Sequence, residues 1–254
     1  MLHIYKDTFV LAFKRAAIAW RLALCLVVYA LIMGAAMMVS PMLGIVGGFL
    51  LGLVAAACVS GYLSMLGQAV KGLPLRFADL QTGFRDLFWD VISVMFAVWV
   101  IDLAVMIISR GAGHNAPAIV AMAGLAMAFF LNPVPEMLYM QKGRSFDLLL
   151  QASRFVLANP VAWFLPNLLF LVAMLAPTGQ LNVSPGYLLI TFSRVFSLRG
   201  LPNLFIGSPV WLFPLLLVFF HYVMVFRGLL FEALASGSSS NPRRAEWVAQ
   251  LRPK

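Results

Sequence analysis

The chain has 254 residues, of which 63% are hydrophobic and only 11% charged, and its net charge is +9. A soluble domain carries about 25% charged residues, so a water-soluble globule is excluded: it would have far more core than polar surface to cover it. In a soluble protein the positive excess would suggest nucleic acid, but here Lys and Arg sit at the ends of apolar runs. That is the positive-inside pattern of a membrane protein, and no nucleic-acid partner is expected.

Residues 3–20 set Ile4, Phe9, Phe13, Ala17 and Trp20 near one helical face, with Lys6, Lys14 and Arg15 elsewhere. This is the spacing of an amphipathic helix lying in the membrane interface. No cleavage site follows, so the first apolar run, 22–40, is read as a retained span. After Ser40-Pro41-Met42 a second span covers 43–66. It carries Gly48, Gly52, Ala56 and Ser60 at four-residue steps, a stripe that lets a neighbouring helix approach closely. Packing inside the monomer is the first reading of that stripe, and a dimerisation or lipid-entry groove the second.

Residues 76–87 repeat the amphipathic pattern with Phe77, Leu80, Phe84 and Leu87. Span 88–109 follows and holds Asp102, a carboxylate that needs a partner, a water cavity or a proton. Span 117–140 is interrupted by Asn132-Pro133-Val134-Pro135-Glu136. Prolines remove backbone donors and break helices, and many transporters build a midplane site at such a break. Here Glu136 is expected to pair with Lys142 and Arg144 near the interface, which makes the break a structural kink.

Residues 145–158 form a third amphipathic segment, with Phe146, Leu149, Leu150, Phe155 and Leu157 against Asp147, Gln151 and Arg154. A short span, 161–177, comes next. The connection 178–207 contains an apolar stretch with Leu188, Phe192, Val195 and Phe196 at helical spacing. An interfacial helix, a re-entrant element and a partner-docking surface all fit it. The last span, 208–231, holds His221 near its middle. Arg227 and Glu232 follow, able to pair but not at an ideal helical spacing. Residues 236–254 read as a flexible basic cytoplasmic tail.

The elements predict an all-α polytopic bundle over 1–235: six transmembrane helices in three hairpins, each hairpin preceded by a cytoplasmic amphipathic helix. Continuous rather than alternating apolar runs exclude a β-barrel. With both termini in the cytoplasm of a bacterial inner membrane, fifteen of the 18 Lys and Arg fall inside, and only Arg110, Arg194 and Arg199 fall outside. Lys14, Arg85 and Arg154 take comparable places in the three units, which suggests an internal repeat.

Signals for chemistry are sparse. Cys25 and Cys58 lie inside apolar runs and read as packing residues. His3, His114 and His221 fall in three different layers, and no spacing resembles a zinc site. G-x-S-x-G, H-E-x-x-H and P-loop sequences are absent. No catalytic residue, metal or cofactor is expected.

Two joints carry a recognisable texture. One is Gly61-Tyr-Leu, Lys71-Gly72 and Phe77-Ala-Asp-Leu-Gln-Thr-Gly-Phe84; the other is Asn132-Pro-Val-Pro-Glu136 and Lys142-Gly-Arg-Ser-Phe-Asp-Leu-Leu-Leu-Gln-Ala-Ser153. They resemble the joints of bacterial six-span inner-membrane proteins of the BPSS1780-like and related families, over roughly residues 60–165, with Gln81 where an aromatic is usual. The resemblance implies an integral inner-membrane protein and no particular reaction.

The function expected is that of a non-enzymatic membrane subunit of a larger envelope complex concerned with transport or secretion. Its partners would be the bilayer with its anionic headgroups, other membrane proteins, or a second copy of itself. The alternative is a self-contained secondary transporter or channel whose polar site is Asp102, Asn132, Glu136 and His221. A membrane-embedded enzyme comes third.

Overall fold

A computed structural model describes residues 2–75, 83–85, 87–141, 145–176 and 213–236, and all their regular structure is helical. Most of the amphipathic segment 76–87, the loop residues Leu188, Phe192, Val195 and Phe196, and all but the start of the tail lie outside the described residues.

Four runs are long and apolar enough to cross a bilayer: Arg21–Val70, Gly83–Gly111, Gly113–Met140 and Pro214–Ala235. The first is folded on itself. After α1 (Leu2–Ile18), α2 (Arg21–Val39) ends in a 3-10 turn, Ser40–Leu43, and α3 (Gly44–Val70) returns beside it. Cys25 Sγ therefore meets Met65 Sδ at 4.0 Å, and the Tyr29 ring lies against Gly61. Gly44 enters α3 at φ 57°, a left-handed value that suits a residue without Cβ at the reversal.

α4 (Phe88–Gly111) and α5 (Ala116–Phe130) pack on each other across the short 3-10 turn Gly113–Asn115. The chain then breaks at 131–133 and restarts as α6 (Val134–Gln141). Pro133 and Pro135 bring no N–H for the carbonyls of Phe129 and Leu131, so the ladder cannot continue. The Leu131 carbonyl instead accepts from the Val134 N–H at 3.2 Å, closing a turn.

α7 (Ser145–Ala158) and α8 (Pro160–Leu175) meet at 93°. The cause is local. A residue before proline is pushed out of the helical region, and Asn159 sits at φ −134°, ψ 44°. Pro160 then starts α8 at a position where a missing N–H costs nothing. α8 has 16 residues, about 24 Å at 1.5 Å per residue, short of the ~30 Å hydrocarbon core. The described part of the expected span 161–177 is thus shorter than a full crossing, and residue 177 lies outside the described residues.

α9 (Phe213–Ser236) is the hub and packs on α1, α2, α3, α6 and α8. α1 meets it with small residues: Thr8, Ala12, Ala16 and Ala19 are buried, while Phe9, Phe13, Ala17 and Trp20 face outward. The large apolar face picked out in the sequence is therefore the outer one. Alanines allow close approach of two helices, whereas aromatics facing lipid cost nothing. α7 behaves similarly: Phe146, Leu150 and Leu157 are exposed, and Leu149 and Phe155 are buried.

Candidate functional site

Three buried polar side chains, Asn132, Glu136 and Arg227, gather where the helix break before α6 meets α8 and α9. Residues 132–139 are buried without interruption. Within that run the Glu136 carboxylate takes a two-pronged grip from Arg227 of α9. Arg227 Nε donates to Oε1 at 2.6 Å, and Nη2 donates to Oε2 at 2.9 Å. Both side chains have 0% exposure. The same Nη2 also donates to the Asn132 carbonyl at 3.0 Å, a group left at the helix break. Charge-assisted bidentate pairs are the strongest hydrogen bonds available to a side chain.

Trp163 of α8 completes the cluster. Its indole N–H donates to Asn132 Oδ1 at 2.9 Å, and the Arg227 guanidinium lies 5.0 Å from its ring centroid. Phe155 and Phe231 close over the indole edge-on, at 5.4 and 6.2 Å between ring centroids. Tyr62 and Tyr139 are buried within electrostatic reach of Glu136 and Arg227. Their hydroxyls are buried and have no hydrogen-bond partner among the described residues. The Tyr139 hydroxyl is pressed against Gly228, where a Cβ would come within 2.6 Å of it.

Two further side chains meet carbonyls left over at helix irregularities. Pro166, inside α8, has no N–H for the Ala162 carbonyl, and Tyr5 of α1 donates its hydroxyl there at 3.1 Å. Ala16 lies in the last turn of α1, where carbonyls lack helical donors, and His221 Nε2–H donates to its oxygen at 3.1 Å. An unmet carbonyl in lipid costs several kcal/mol, so these contacts are what the interrupted helices require.

Of the residues singled out from sequence, Asn132 and Glu136 come together. His221 is buried on α9 but is engaged with α1. Asp102 is half-buried on α4, a helix that carries none of the Glu136 cluster. Sequence proximity set Glu136 near Lys142 and Arg144, and let Arg227 pair with Glu232 at a spacing that is not ideal; Lys142 and Arg144 lie outside the described residues, and Glu136 is bound to Arg227. Trp163, Tyr62, Tyr139 and Tyr5 were missed, and so was the part Arg227 plays in the cluster. The signal available was Arg227 itself, a cation inside an apolar run, which demands an intramembrane anion.

The small-residue stripe divides. Ala56 and Ser60 are buried, and Ser60 Oγ donates to the carbonyls of Gly83 and Phe84, both at 3.2 Å. Gly48 and Gly52 are exposed, and a Cβ at either position would meet no described atom within 4 Å. Among the described residues no group of three or more His, Cys, Asp or Glu could hold a metal, and both cysteines are buried free thiols. No family model, curated protein or solved structure matches the chain.

Proposed function

We propose that the protein is a non-enzymatic, multi-pass membrane subunit that works within a larger bacterial inner-membrane assembly, in transport or secretion. One observation carries this reading. Of the polar residues singled out from the sequence, Asn132 and Glu136 are bound to Trp163 and Arg227 of the same chain, and His221 holds α1 through Nε2. Groups so engaged support architecture better than substrate binding. The reading has six spans: α2, α3, α4, α5 with α6, α8, and α9, with both termini in the cytoplasm. The resemblance of the 60–165 joints to bacterial six-span proteins agrees with it.

The test is extraction in mild detergent followed by co-purification and mass spectrometry. A reproducible partner set migrating well above the 27.9 kDa chain is the expected result. A lone monomer that moves a solute or ion when reconstituted in liposomes overturns it.

The transporter reading has one observation in its favour. The Tyr62 and Tyr139 hydroxyls beside the ion pair are polar groups without a described partner. Replacing both by Phe separates the two readings. A subunit keeps its cellular activity, whereas a transporter that uses those hydroxyls loses it.

A further inference from the structure

At the Glu232 end of the bundle, cations from two parts of the chain converge. Arg15 of α1 lies over the C-terminal turn of α3, its Nε 3.5 Å from where a Cβ of Gly72 would stand. Arg21, at the start of α2, donates from Nη1 to the Leu75 carbonyl at 2.9 Å. Both arginines thus reach the same five-residue segment, which opens with the exposed Lys71. Lys14, also exposed, is the neighbour of Arg15. Glu232 is the carboxylate within electrostatic reach of Arg15. Lys14 and Lys71, both exposed, bring two further cations to this junction. Around them Trp20 and Leu73 stay half or more exposed, at 55% and 51%.

We propose that this junction of α1 with the end of α3 is a binding site for the headgroup of an anionic phospholipid. Lys14 and Lys71 reach the phosphate, and Trp20 and Leu73 contact the glycerol and upper acyl chain. Charge together with an apolar rim is what distinguishes a lipid from a free anion: the rim has no use for a water-soluble ion, and an indole is favoured at headgroup depth. Arg15 and Arg21 hold the platform, because both are engaged with the 71–75 turn. The inference rests on the membrane reading above.

Native mass spectrometry of the purified protein, titrated with phosphatidylglycerol or phosphatidylcholine, tests it. Phosphatidylglycerol should be retained in preference and released by added salt. Lys14→Gln with Lys71→Gln should weaken its retention roughly tenfold or more, from about fivefold per basic residue near an anionic surface. Both side chains are exposed, and unchanged thermal stability verifies the fold. The charge-matched control Lys6→Gln with Arg154→Gln, also exposed, should change retention less than twofold. Equal losses in the two variants, equal retention of the two lipids, no effect of salt, or displacement by millimolar inorganic phosphate each overturns the site. A protein that fails to enter bilayers of either lipid sinks the membrane reading instead, so the two failures are distinguishable.

Discussion

The two ends of α3 differ sharply. From Ala56 to Val70 nearly every residue is buried, whereas between Gly44 and Ala55 only Gly47 is. Its neighbours follow suit. α4 buries Val91, Val94 and Ala97 near its start and only Ser109 later, and α5 buries only Ala128. Ile45, Val46, Phe49, Ile108 and Met122 at the open end are large, apolar and exposed. The packed end holds the Glu136–Arg227 pair, the helix break and the indole of Trp163. In lipid, apolar side chains gain little by leaving the solvent, since the acyl chains are as apolar as leucine. Polar groups and interrupted backbones gain a great deal. Among the described residues, close packing therefore follows the Glu136 cluster and the helix break.

The sharpest way to break this contrast is at the ion pair. Arg227→Met or Glu136→Gln leaves an uncompensated buried group and should cost about 3–5 kcal/mol. Thermal unfolding in detergent should register this as a large loss of Tm. The double variant Glu136→Leu/Arg227→Met should recover much of it, because replacing both charges by apolar groups is often neutral. If the single variants unfold like the wild type, the packed end is not held by its charges.

Next in size is a pair of glycine substitutions. A Cβ on Gly228 would stand 2.5 Å from Val70 Cγ2 and 2.6 Å from the Tyr139 hydroxyl. Gly228→Ala should therefore destabilise by about 1–3 kcal/mol through overpacking. Gly52→Ala meets nothing within 4 Å and should be neutral or slightly stabilising, since alanine is the better helix former. Similar losses at both sites would erase the difference between the ends.

Tyr5→Phe tests a smaller effect. It strips the donor from the Ala162 carbonyl and should cost about 1–2 kcal/mol. In the background of Pro166→Ala, where the backbone N–H returns, the cost should shrink, and a double-mutant cycle reads that coupling directly. Least of all, Ile45→Leu or Ile108→Leu at the open end should move stability by less than about 0.5 kcal/mol.

Much of the helical plan was legible. The runs expected at 22–40, 43–66 and 88–109 are helices Arg21–Val39, Gly44–Val70 and Phe88–Gly111, because apolar length is a direct demand of the bilayer. The interruption of 117–140 was equally visible, since proline acts locally. Facing was harder. The sequence marks which side of α1 is apolar but not whether that side meets protein or lipid, and in a membrane the two are nearly equivalent solvents. Gly48 and Gly52 meet no described neighbour for the same reason: smallness permits a close neighbour without supplying one. The Glu136–Arg227 pair, 91 residues apart, was hidden by nearer charges. Proximity in sequence favoured Lys142, Arg144 and Glu232, while geometry chose the cation that could not reach water.

The late position of α9 in the chain bears on biogenesis. Glu136, Asn132 and the indole of Trp163 are all synthesised well before Arg227. Until the final described helix is made, the nascent chain holds a carboxylate and a broken backbone without the cation that binds both. Docking of Phe213–Ser236 thus supplies the cluster's last partner, and a chain arrested upstream would keep those polar groups unmatched.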